Sequence, residues 1–242
     1  PMTHRLPVAL RWKDYVLERG AGLSTLWAEH FQSGDASPLV VMAKSFDPRT
    51  CTALEQFVSA ANLKRCDAHV LEYISSDSKP EDKELTQRAT DNLSRIHELI
   101  DPLGTVTPKK LKTDSDGQRR VTSQSAKNLF RSLADFDGYT DIVVDISGMP
   151  RSVFFPLLST LLSLIDAAPA GQTPAPNLFV VVSEDPRVDE AIAHEGVDPF
   201  AELLPYYRGT TERAGDTDLP TVWILTLGEH RLAQLECIEN QL

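Results

Sequence analysis

Four arginines in this chain stand at similar places. The stretches SFDPR (45–49), SGMPR (147–151), SEDPR (183–187) and GEHR (228–231) each close an apolar run with a small residue, and each then reaches an arginine where a helical pattern begins. A cation in the first turn of a helix opposes the backbone dipole by about a few tenths of a kcal/mol, so the placement asks for a reason. Anion binding supplies one. A helix N-terminus offers free N–H donors and positive potential, and guanidinium adds a forked donor matched to phosphate. On this reading Arg49, Arg151, Arg187 and Arg231 converge on one phosphorylated ligand. The competing reading is local: a small residue, an acid and a proline start a helix well, and each arginine pairs with a neighbour such as Asp47 or Asp185.

Other side chains at the same junctions could assist. Ser45, Ser147 and Ser183 would donate hydrogen bonds, and Gly148 would let a ligand approach the backbone. Asp47 would cap the helix that follows it. Asp145 would either orient its own loop through backbone amides or act as an acid/base group or ribose acceptor. Glu72 and Ser75, ending another strand, would meet a sugar hydroxyl, with Glu72 a second acid/base candidate if the protein is an enzyme. Cys51 stands beside Arg49, where a thiolate would be stabilised, but nothing nearby reads as its general base, and the preferred reading is a small buried side chain. Ser147 with His194 or His230 forms only a notional nucleophile–base pair.

Several classes drop out. There is no G-x-G-x-x-G after the first strand, no G-x-x-x-x-G-K-[ST] and no G-x-S-x-G, which argues against a dinucleotide cofactor, a P-loop and a nucleophile elbow. None of the six histidines forms H-x-x-x-H or H-x-H, and three scattered cysteines, without C-x-x-C, support neither a metal site nor a disulfide framework. No cofactor is expected. The formal charge of −11 argues against gripping duplex nucleic acid through its phosphates. It also makes local gatherings of arginine more informative. No apolar run approaches the roughly 20 residues of a membrane span, and the opening residues lack a signal-peptide pattern. The expectation is therefore a cytoplasmic protein away from membranes.

The elements that would position these residues follow from periodicity. Helical patterns cover 10–33, broken at Gly20 and Gly22, then 47–63, 79–104, 126–136, 151–168, 186–196 and 229–242. Strands are expected at 37–45, 67–76, 139–147, 177–185 and 221–228. Asp47 and Pro48 would open the second helix, and Pro156 would kink the fifth or mark its true first turn. Residues 105–123 read as an exposed loop and 197–220 as an irregular insertion. Apolar strands alternating with helices predict an α/β, Rossmann-like three-layer sandwich with a mainly parallel central sheet. The whole of 2–242 would be one domain with its core at 37–185. The last helical pattern reaches Leu242 without a stop, which fits either a natural end or the first part of a longer chain; Pro1, ahead of Met2, reads as a cloning remnant.

One stretch carries a family resemblance. In VVDISGMPRSVFFPLL, Asp145, Ile146, Ser147, Gly148 and Arg151 resemble the Asn/Asp, hydrophobic, Thr/Ser, Gly and Lys positions of the strand–loop–helix in CARF domains, the Rossmann-like sensors of cyclic oligonucleotides in CRISPR-associated proteins. Met149 and Pro150 replace that motif's second glycine and its threonine, and the likeness is specific over about fifteen residues. The loop AKSFDPR, with Ser45, matches another ligand-touching segment of such domains. The resemblance implies a homodimer with ligand across its two-fold axis, a following effector domain or partner protein, and a role in bacterial antiviral defence. Three functions stay open: a sensor of a nucleotide-like second messenger, an enzyme hydrolysing or transferring a phosphorylated nucleoside, and a protein-interaction scaffold.

Overall fold

Leu39, Val40, Val41, Met42 and Ala43 follow one another without a polar break, as do Ile142, Val143 and Val144. Runs of this kind need cover on both faces, which a parallel sheet flanked by helices provides. The computed structural model of the protein describes residues 15–74, 82–113, 115–116, 119–168 and 175–191. Both runs are strands buried at every position: β1 (Pro38–Ala43) and β6 (Asp141–Asp145). Around them lie β2 (Asp67–Ile74), β3 (Val106–Lys112) and β7 (Asn177–Val181), in the order β3-β2-β1-β6-β7. Every pairing in this sheet is parallel.

Alternation along each strand divides the core in two. Val40, Met42, Ala68, Val70 and Val143 face α1 (Ala21–His30), α2 (Thr52–Ala60) and α3 (Lys83–Ile100). Leu39, Val41, Leu71, Leu111, Ile142 and Val144 face α4 (Val121–Lys127) and α5 (Arg151–Asp166). On the first face Trp27 stacks edge-on against Phe57 and Phe179, each at 5.0 Å between ring centroids. The result is the expected three-layer α/β sandwich of Rossmann-like type. Among the described residues no helix is long and apolar enough to cross a membrane.

Several boundaries differ from expectation for physical reasons. Residues 105–123 are not a loop. They hold β3, the two-residue strands β4 (Ser115–Asp116) and β5 (Arg119–Arg120) paired antiparallel, and the start of α4. Within the described sheet β3 is an edge strand, and an edge strand carries lysines and proline where a central one carries valine. That composition hid it. The 126–136 pattern breaks into the end of α4 and a short 3-10 turn, Leu133–Phe136, held by a capping box between Ser132 and Asp135. The first helix is confined to Ala21–His30 and begins at Gly20, whose φ of 56° is left-handed. α2 starts at Thr52, four residues later than Pro48 predicts, because Asp47 caps a separate turn rather than the helix. α3 begins at Lys83, its N-cap Asp82 accepting from the N–H groups of Glu84 and Leu85. α5 runs unbroken through Pro156, so Arg151 is its true first residue. α6 (Pro186–Ala191) follows β7; the expected insertion at 197–220, strand at 221–228 and helix at 229–242 lie outside the described residues.

Candidate functional site

The chain lays down β1, then β2 and β3 to one side, and returns to place β6 on the other side of β1. Strand order therefore reverses between β1 and β6. In open parallel sheets the crevice beyond the carboxyl ends at such a reversal is where ligands bind. The loops leaving those two ends are 44–51 and 146–150, which carry Ser45, Asp47, Arg49, Ser147 and Gly148 and are flanked by Asp145 and Arg151.

The two loops touch. A Cβ built on Gly148 would lie 2.7 Å from the Ser45 Cβ and 3.1 Å from its Oγ. Only glycine lets the β6–α5 loop pass so close to the β1–α2 loop, so this residue serves loop packing directly.

Asp145 organises the second loop. Its Oδ1 accepts from the Ser147 N–H at 2.9 Å and from the Ser147 hydroxyl at 2.5 Å. The same hydroxyl oxygen accepts the Ser183 N–H at 2.8 Å, which ties the β6 loop to the segment after β7. Asp145 is only 3% exposed, and its Oδ2 is buried without a hydrogen-bond partner among the described residues. Burial pushes this carboxyl up to about 6, opposed by the Ser147 hydrogen bonds and helped by the negative charge of Asp47. Beneath it lies a small apolar cavity lined by Trp27, Val40, Leu54, Phe57 and Val181. The loop-ordering role expected for Asp145 is thus observed. Its carboxyl also lines that cavity.

Arg49 organises the first loop. Asp47 Oδ1 accepts from the Arg49 backbone N–H at 2.8 Å and from Nε at 2.9 Å, while Oδ2 accepts from Nη2 at 2.7 Å. Nη1 donates to Asp189 Oδ1 of α6 at 2.8 Å. Burial alone would raise the Asp47 carboxyl, but the Arg49 hydrogen bonds outweigh it and hold the group below the usual carboxylate range. The Asp47 hydrogen bond raises Arg49 in turn, so the ion pair persists across ordinary pH. Ser45 Oγ accepts the Asp47 N–H at 3.1 Å, and Asn92 of α3 donates to the carbonyls of Ser45 and Asp47 at 2.8 and 3.1 Å. Asn92 and Asp189 were not legible as site residues: each is one polar residue on a helix rich in them, far from the loop in sequence.

The arginines divide. Arg49 and Arg187 follow the local-pairing reading, Arg187 gripping its own Asp185 through Nε and Nη2 while standing out in solvent. Arg151 is different. It is exposed, begins α5, and makes no ion pair or side-chain hydrogen bond among the described residues; nor does any side chain cap that helix. Glu72, half-buried near the end of β2, lies 3.8 Å from Lys44. Cys51 is buried, and burial pushes its thiol up to about 11, which removes the case for a ready thiolate. Ser75, His194, His230 and Arg231 lie outside the described residues. A cleft of about 300 Å³ lined by Lys127, Asn128, Arg131 and Thr160 sits elsewhere, between α4 and α5. It is roughly 14 Å along α5 from Arg151 at 1.5 Å per residue.

Fold and site together define a Rossmann-like α/β protein with two interlocked loops at its strand-order reversal. Comparison of the sequence with known protein families, and with curated proteins, finds no match.

Proposed function

We propose that this chain is a ligand-sensing module that takes a phosphorylated, nucleotide-like second messenger at the β1/β6 reversal and does not turn it over. The observation that carries the reading is Arg151, an exposed cation left unpaired among the described residues at the uncapped N-terminus of α5. It opposes the helix dipole, so in the absence of an anion it is a local cost. A phosphate bound there would meet the guanidinium and the first N–H groups of the helix together.

Two further features support it. The hydrogen bonds from Asp145 through Ser147 to Ser183, and the contact of Gly148 with Ser45, hold the surrounding loops before any ligand arrives. Preorganisation of that kind lowers the cost of binding. The burial of Asp145 supports sensing over catalysis, since an acid/base group must reach the proton it moves. The CARF resemblance points to a cyclic oligonucleotide, with a homodimer and an attached effector or partner protein as its corollaries, in an antiviral defence system of bacterial type.

The scaffold reading has its own support in the pairing of Arg49 and Arg187. Thermal-shift measurements with cyclic and linear oligonucleotides separate the two. The sensor shows a dose-dependent rise in Tm with at least one of them, lost in Arg151→Ala. No rise with any, or an equal rise in Arg151→Ala, overturns the reading. Conversion of the ligand during incubation favours the enzyme.

A further inference from the structure

The ion pair between Arg49 and Asp189 joins residues 140 positions apart, on a loop and a helix with no other hydrogen bond between them among the described residues. Two of the three guanidinium nitrogens of Arg49 are held by Asp47, which arrives on the same turn and neutralises the charge. The third, Nη1, points outward and is met by a carboxylate from α6. The partners differ in exposure: the Arg49 side chain is 14% exposed and that of Asp189 55%. One end of the bond is fixed and the other half in solvent. Among the described residues this is the one ion pair or side-chain hydrogen bond that ties α6 to the body of the protein; Arg187 and Asp185 bond only each other there.

A helix of six residues does not hold itself together in water. The order of α6 therefore depends on what docks it. At the same time Nη1 of Arg49 lies on the loop that borders the strand-order reversal, where a second phosphate of a nucleotide-like ligand has a guanidinium N–H to meet. A carboxylate oxygen and a phosphate oxygen are interchangeable partners for one guanidinium N–H.

We propose that Asp189 is an internal stand-in for the ligand's anionic group, occupying the Nη1 position of Arg49 in the empty protein, and that the ligand displaces it and frees α6. This rests on the anion-binding reading of the β1/β6 edge and adds its output. The displacement exchanges one charge-assisted hydrogen bond for another, so the ligand differs between the two states by what it gains at Nη1, as a population shift requires. Arg49 stays bound to Asp47 in both states, and the loop does not collapse when Asp189 leaves.

The test compares the full chain with Asp189→Asn and Asp189→Glu, using ATP, inorganic pyrophosphate and the oligonucleotide that gives the largest thermal shift. Calorimetry should show Asp189→Asn binding the same probe about three- to tenfold more tightly than the parent, the scale expected when a competing, half-exposed ion pair is removed, with Asp189→Glu close to the parent. Hydrogen exchange adds an independent readout at the amides of Val188 and Asp189, which bond the Asp185 carbonyl at 3.0 and 3.1 Å. These amides should exchange faster in Asp189→Asn without any ligand, and in the parent only when the probe is bound. Equal affinities in parent and Asp189→Asn, or slower exchange in the bound parent, overturn the displacement while leaving the anion site standing. If no probe binds any of the three proteins, the anion reading itself falls and this inference with it.

Discussion

Gly148 lies against Ser45 so closely that an added methyl group would come within 2.7 Å of the serine Cβ. The contact joins the loops leaving the neighbouring strands β1 and β6. Gly148→Ala should cost about 1–3 kcal/mol, the usual price of overpacking. Part of that loss should return in a Gly148→Ala, Ser45→Gly double variant, because the obstructing atoms are removed. Urea denaturation of the four proteins of the cycle measures the coupling; strict additivity would show that the loops adjust independently.

Asp145 gives the protein a pH dependence of known sign. Its folded carboxyl titrates at about 6, above its ordinary value of 3.8. A group raised on folding binds its proton more tightly in the native state, so its contribution is full below the unfolded value and is lost as pH rises through about 6. Relative to Asp145→Asn, whose side chain does not titrate, the parent should gain on the order of 2 kcal/mol between pH 7 and pH 4. Denaturation curves at pH 4, 5, 6 and 7 for both proteins check this, because other titrating groups cancel in the difference.

Ser147 is both donor and acceptor, and removing its hydroxyl strands two partners at once. Ser147→Ala leaves the Ser183 N–H without its acceptor and takes one donor from Asp145. The expected loss is about 1–3 kcal/mol. The Asp145 titration should also move further up, since the Ser147 hydrogen bond stabilises the charged carboxylate and opposes the rise that burial causes. Carboxyl titration followed by NMR in the two proteins reads that displacement; an unmoved carboxyl would mean the hydroxyl bond is not formed in solution.

Arg49→Ala should destabilise more than Asp189→Asn. The first leaves Asp47 partly buried and uncompensated, at a cost of about 1.5–3 kcal/mol, whereas the second removes a half-exposed partner worth under about 1 kcal/mol. Because Asp47 is held below the usual carboxylate range, the contribution of its pair is present above pH 4 and lost as pH falls through that lowered value. The gap between parent and Arg49→Ala should therefore narrow in acid, which denaturation below pH 4 would reveal.

Arg151 should behave in the opposite way. With no partner among the described residues and a place at the unfavourable end of a helix dipole, Arg151→Ala should leave stability unchanged or raise it by about a few tenths of a kcal/mol, while abolishing the ligand-induced rise in Tm. A loss of stability comparable to that of Arg49→Ala would show that the residue holds the fold.

Much of this could be read in order along the chain. Uninterrupted Val, Ile and Leu in β1 and β6 demand cover on both faces, and the alternation with helical patterns then leaves a parallel sandwich as the outcome. The loop-ordering role of Asp145 was legible because its bonds to Ser147 are local, two positions away; the packing of Gly148 on Ser45 and the bond from Ser183 to Ser147 were not, because their partners come from other strand–helix junctions. β3 was not legible, because lysines and a proline at the rim of a sheet look like those of a loop until a neighbouring strand is known.

The division among the arginines also lay beyond the sequence. SFDPR, SGMPR and SEDPR are near repeats, and local chemistry treats them alike except for the acid present in two of them. That acid accounts for Arg187 and for half of Arg49. The other half, Asp189, arrives only because the crossover from β7 carries α6 back over the β1 loop. Hydrophobic periodicity and turn chemistry are short-range signals and determine elements; which charges meet across 140 residues depends on the register and order of the strands between them. Those were decided only when the chain closed into its three layers.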